Sequence, residues 1–142
     1  MNKEHRDGNE FDFLIGKSII KVEKEETYID IYKLICSDGT IIYIETNDGC
    51  GGCSNGWSSF EDLKKLEENN NVITNVKTEY TTHYDYQEEF TMFVYYEDGT
   101  INQLYGDDGY GNGYYGGGFY ITIKKVGEDN ENSKRSWTFF IN

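Results

Sequence analysis

Phe90-Thr91-Met92-Phe93-Val94-Tyr95-Tyr96-Glu97-Asp98-Gly99-Thr100-Ile101-Asn102-Gln103-Leu104-Tyr105 reads as a strand, a tight turn and a returning strand. Aromatic and β-branched residues crowd positions 90–96, the composition a half-buried pleated surface favours. Asp98-Gly99 supplies positive φ cheaply, so the turn is a hairpin. The same words stand earlier, where Asp38-Gly39-Thr40-Ile41 joins a strand over 28–36 to one over 40–46. Each turn is followed, at the same internal spacing, by a second Asp-Gly: Asp48-Gly49 and Asp108-Gly109. Each hairpin is preceded by Ile-x-x-Val (Ile19 to Val22, Ile73 to Val76) and, before that, by a short helical stretch. The chain therefore spells a helix-strand-hairpin-loop unit twice, with a pseudo-twofold relation between the copies. The expected fold class is α+β: an antiparallel twisted sheet with two short helices and an internal helix-strand-hairpin repeat. A flexible leader is expected over 1–8 and a single domain over 9–142.

The first helix is expected over 10–15, with Phe11, Leu14 and Ile15 on one face and Gly16 as its stop. A strand follows over 17–25, with Ile20 and Val22 alternating against Lys21 and Glu23. Ser58 and Ser59 offer caps for the second helix, whose Phe60, Leu63 and Leu66 form one stripe. Residues 72–77 read as a strand, 79–87 as a polar, aromatic loop or ragged edge, and the chain ends in a hairpin over 119–126 and 136–141.

Two glycine loops follow the two hairpins, one from Gly49 to Trp57 and one from Gly106 to Phe119. Seven of the 16 glycines lie between Gly106 and Gly118. Glycine costs folding more backbone entropy than any other residue and packs nothing, so its use is positive φ or close approach of the backbone to something else. Tyrosines fill the gaps, and tyrosine offers a flat apolar face with one hydroxyl. Glycines that open space beside aromatics that stack describe a binding loop. The expected ligand-binding set is Asn55 and Trp57 on the first loop, Tyr110, Asn112, Tyr114 and Tyr115 on the second, and Lys124 as the cation for an anionic group.

The formal charge is −13, and no Lys or Arg occurs between Thr78 and Ile123. Bulk attraction to nucleic acid or anionic membrane is disfavoured, and a basic protein partner is favoured. The chain contains no run of eighteen apolar residues, so no membrane span is expected. Three cysteines, an odd number, do not suggest a disulfide scaffold. Lys17, Lys21 and Lys24 would form a basic patch with Lys124, Lys125, Lys134 and Arg135 if their strands were neighbours.

Catalytic and metal signals are weak. Cys50-x-x-Cys53 lacks the second ligand pair that a zinc site uses. Asp107-Asp108-Gly109 lacks the alternate acidic ligands of a calcium loop. The glycines precede a strand, not the helix whose N-terminus would hold a phosphate. His83 has no nucleophile beside it in sequence. No catalytic residue, metal or cofactor is expected.

Leu14-Ile15-Gly16-Lys17-x-Ile19, Asp48-Gly49-Cys50, Phe60-Glu61-Asp62-Leu63 and Asn112-Gly113-Tyr114-Tyr115, in that order, resemble a family of small tailed-phage proteins over roughly 11–123. The chain departs from that pattern at Cys50-Gly51-Gly52-Cys53, where the family pattern has a tighter cysteine pair, and in lacking a tryptophan-rich strand before its last glycine loop. More loosely, the arrangement is similar to phage anti-Thoeris sponge proteins, which hold a cyclic ADP-ribose-type signal away from its receptor. The resemblance implies a counter-defence protein in the host bacterial cytoplasm that sequesters a nucleotide-derived immune signal, of cyclic ADP-ribose type or a cyclic oligonucleotide, without cleaving it. The alternative is an acidic DNA mimic that inhibits a bacterial defence nuclease such as a CRISPR or restriction enzyme, and a third reading is a structural or assembly protein of a phage. The expected partners are a small nucleotide-like ligand or a basic host protein, with no direct nucleic acid, no membrane and a homodimer or higher homo-oligomer.

Overall fold

A computed structural model describes residues 11–27, 30–46, 58–83, 87–107, 119–125 and 134–138. Its strands form two antiparallel sheets where one was expected. Sheet A has the order β1 (Ile19–Glu26), β2 (Asp30–Cys36), β3 (Ile41–Thr46), β7 (Phe119–Lys124) and β8 (Lys134–Thr138). Sheet B is β4 (Ile73–His83), β5 (Gln87–Tyr96) and β6 (Ile101–Asp107). Two short 3-10 helices, η1 (Asp12–Leu14) and η2 (Glu61–Glu68), complete an α+β fold.

The repeat holds down to single hydrogen bonds. Both units run as a three-strand meander in sequence order. Cys36 donates its N–H to Thr40 O at 2.9 Å, and Tyr96 donates to Thr100 O at 3.0 Å. Gly39 and Gly99 close the two turns at φ 88° and 90°. Asp38 Oδ1 accepts the Thr40 N–H at 2.9 Å, and Asp98 Oδ1 accepts that of Thr100 at 3.0 Å. Ser37 N–H reaches Ser18 O at 2.9 Å, and Glu97 N–H reaches Val72 O at 2.8 Å.

Ile-x-x-Val is the sequence of a β-bulge. A regular strand alternates faces every residue, so positions i and i+3 cannot both point inward. The register slips between Ile19 and Lys21 and again between Ile73 and Asn75. That slip turns both the isoleucine and the valine of each copy into the core. Ile20, expected on the same face as Val22, is instead thrown outward and is 48% exposed. Ile15 likewise leaves the face shared by the buried Phe11 and Leu14 and is exposed.

The stripe Phe60, Leu63, Leu66 repeats every three residues, and all three side chains are fully buried. A helix with three residues per turn stacks them one above the other, so the period suits the 3-10 geometry of η2. Neither Ser58 nor Ser59 caps it; the N-cap is Phe60, with no side-chain cap bond. Instead η2 bridges the two sheets. Glu67 Oε1 accepts the Val22 N–H at 2.8 Å, and Lys64 Nζ donates to Val22 O at 3.1 Å. On its other side Asp62 Oδ2 accepts the Tyr105 N–H at 2.9 Å. Backbone groups along the edges of β1 and β6 are thereby occupied, as exposed edges require. One hydrophobic cluster spans both sheets and both helices.

The loop expected over 79–87 is strand over most of its length. β4 runs to His83, β5 starts at Gln87, and the pairing continues to His83↔Gln87. Thr78, Thr81 and Thr82 are polar yet β-branched, and a strand uses that stiffness. The basic patch does not form as expected either, because β2 and β3 separate β1 from β7.

Three carboxylates in these joints lie below their ordinary range. Asp38 is lowered chiefly by the Thr40 N–H, Asp98 by the Thr100 hydroxyl and N–H, and Glu67 by the Val22 N–H. A depressed folded-state value gives stability that is full above the ordinary aspartate value of 3.8 and is lost as pH falls through the lower folded one. The melting temperature is therefore expected to fall on acidification below about pH 4. Asp38→Asn with Asp98→Asn keeps both turn acceptors and removes two of the titrations, so its melting temperature should fall less steeply between pH 5 and pH 3. Equal slopes would mean the turns do not carry this term.

Candidate functional site

The two glycine loops stand on one platform. The segment 47–57 leaves at Thr46 and returns at Ser58; the segment 108–118 leaves at Asp107 and returns at Phe119. Thr46 pairs with Phe119 in the β3–β7 ladder. Ser59 and Asp107 exchange two backbone bonds, N–H to O, at 2.8 and 2.9 Å. The start of each loop is thus bonded to the end of the other.

Beneath these feet lies a phenylalanine cluster. Phe60 follows the first loop, Phe119 ends the second, Phe90 lies opposite Gly106, and Phe11 enters from the first 3-10 turn. Phe60 meets Phe90 edge-on at 4.9 Å and Phe11 at 5.6 Å, and it lies 5.8 Å from Phe119, ring centre to ring centre. Burial of the four rings within 2% of complete makes them the floor beneath the loop feet, not surfaces on which a ligand stacks. Gly106 exists for this floor. A Cβ there would sit 2.8 Å from Phe90 Cε1 and 2.9 Å from Phe60 Cδ1.

A cleft of about 480 Å³ opens beside the feet, lined in part by Ser59, Glu89, Thr91, Tyr105 and Asp107. Tyr105 is 56% exposed, its hydroxyl donates to Gln103 Oε1 at 3.1 Å, and Lys65 Nζ stands 5.9 Å from its ring centre. Among the described residues it is the exposed aromatic ring at this cleft, and the sequence, read for its glycine loops, left it out of the expected ligand set. The outward alternation Ile101, Gln103, Tyr105 on β6 was the signal that marks it.

The expected ligand residues fall unevenly. Asn55, Trp57, Tyr110, Asn112, Tyr114 and Tyr115 lie outside the described residues, as do Cys50, Cys53 and the leader. The described feet of the segments 47–57 and 108–118 are paired. Lys124 is not at that base. It pairs with Ile41, at the other end of β7 from Phe119, about 17 Å away at ~3.3 Å per residue. Its Nζ stands 5.6 Å from the ring centre of Tyr43. The ammonium nearer the loop end is Lys24, held by Glu61 at 2.8 Å and Glu26 at 2.9 Å. Those two carboxylates push its pKa upward, so it stays charged and internally paired.

No group of three or more His, Cys, Asp or Glu among the described residues could hold a metal ion. Cys36 is buried, and burial pushes its thiol up to about 11, so it is no nucleophile near neutrality. No helix among the described residues is long and apolar enough to cross a membrane. The arrangement offers shape, aromatic surface and backbone polar groups, the equipment of recognition.

Residues 12–121 match the model of a family described as a domain of unknown function, DUF7448. Neither a curated protein nor a solved structure matches the chain.

Proposed function

We propose that this chain, which belongs to the DUF7448 family, is a phage counter-defence protein that sequesters a nucleotide-derived bacterial immune signal between its two glycine loops and releases it chemically intact. One observation carries the reading: the feet of the two loops are paired through Thr46↔Phe119 and Ser59↔Asp107, which supports a single site served by both loops. The stacking groups are Trp57 of one loop and Tyr110, Tyr114 and Tyr115 of the other, with Asn55 and Asn112 as hydrogen-bonding partners. The similarity to tailed-phage proteins supplies the biological setting.

A second reading is favoured by Glu89 and Asp107, which face each other in register at the cleft. Together with the charge of −13 they suit a basic defence enzyme. Salt separates the two readings. An electrostatic mimic loses much of its affinity as salt rises, whereas a stacked base is screened little.

Calorimetry with cyclic ADP-ribose tests the leading reading. A base stacked on an aromatic gains about 1–3 kcal/mol by alanine substitution. Trp57→Ala and Tyr115→Ala are each expected to weaken binding by about tenfold or more at an unchanged melting temperature. Chromatography of the released ligand should return it unaltered. Variants that bind like the parent would move the site away from the loops, and turnover would reveal an active site.

A further inference from the structure

A nucleotide held by the loops needs a cation for its phosphates, and the described residues at the loop end provide none that is uncommitted. Glu89 and Asp107 line the cleft there, Lys24 is clasped by Glu61 and Glu26, and Lys65, beside Tyr105, is paired with Asp62 at 3.4 Å. The solvent face of sheet A is different. Glu23, Lys33 and Tyr43 lie in register across β1, β2 and β3. They share a second cleft of about 450 Å³ with Lys24, Glu25 and Ile31. Lys124 stands over the Tyr43 ring from β7. Tyr43 is three residues before the loop foot at Thr46, about 10 Å along the strand, within the span of one extended nucleotide. Resting on the nucleotide reading above, we infer that this cleft takes the phosphate end of the ligand, with Lys33 as its principal cation and Lys124 as a second.

The ion pairing of Lys33 supports that role. Its one ion pair among the described residues is with Glu23 Oε1 at 3.9 Å, the outer limit of such a contact. Glu23 also pairs with Lys21, through Oε2 at 3.9 Å. A phosphate arriving at Lys33 therefore displaces a loosely held carboxylate, which keeps Lys21 as its partner. Charge-assisted bonds to phosphate are shorter and stronger than such a contact. Glu23 is thus a competitor for the site, and removing it has the opposite effect from removing Lys33. A merely structural ion pair would not show that opposition, because breaking it from either side would act in the same direction.

Calorimetry of the full chain with ADP and with adenosine separates these roles, since the two ligands share the base and ribose and differ in the phosphates. ADP is expected to bind the parent more tightly than adenosine. Lys33→Ala should cost ADP about tenfold and leave adenosine unchanged. Glu23→Gln should tighten ADP by about threefold. Both side chains are partly exposed, and circular dichroism checks that each variant is folded. If the parent binds both ligands and neither substitution alters ADP affinity, the phosphate assignment is wrong while the loop site stands. If the parent binds neither ADP nor adenosine, the nucleotide reading fails and this inference fails with it.

Discussion

Phe60→Ala is expected to destabilise the protein by about 3–5 kcal/mol, measured by denaturant unfolding. Phe60 is fully buried and touches the rings of Phe11, Phe90 and Phe119, which come from three other elements. Deleting it removes the transfer free energy of a large ring and leaves a cavity that rigid neighbours cannot fill. Such a loss is a large fraction of the ~5–15 kcal/mol that holds an ordinary domain folded. The effect should also reach function, because Phe60 adjoins the Ser59–Asp107 foot pair. Phe60→Leu keeps much of the volume and should recover part of the stability. A fully stable Phe60→Ala variant would mean the cluster is not the floor of the fold.

Gly106→Val is the second large expected effect. Overpacking a core costs about 1–3 kcal/mol when neighbours can shift. Here a Cβ meets Phe90 and Phe60 inside 3.0 Å, and both rings are wedged in the cluster. A value at or above the top of that range is expected, seen as a lower denaturant midpoint. Gly99→Ala is the control. A Cβ at Gly99 would meet nothing within 4 Å, so its only cost is the positive φ of 90°. The penalty there should be about 1 kcal/mol. Equal effects at the two glycines would mean that Gly106 is not chosen for ring contact.

The repeat could be read from sequence because its signals are local. Asp-Gly-Thr needs only the turn itself, and the structure forms that turn in both copies, at Gly39 and Gly99. Ile-x-x-Val was visible as a repeated pattern but not as a bulge, since simple alternation places Ile20 inside. The extent of β4 was missed because Thr and Tyr look like loop residues to a polarity reading. Strand order is a long-range property. Nothing local says that β7 joins β3, and so nothing local placed Lys124 over Tyr43 and far from the loops.

Hydrogen–deuterium exchange, read by mass spectrometry with and without cyclic ADP-ribose, tests the shared site most directly. Joint protection of peptides covering 47–57 and 108–118, at one ligand concentration dependence, is the expected result. Protection of one loop alone, or of neither, would contradict a single site built from both.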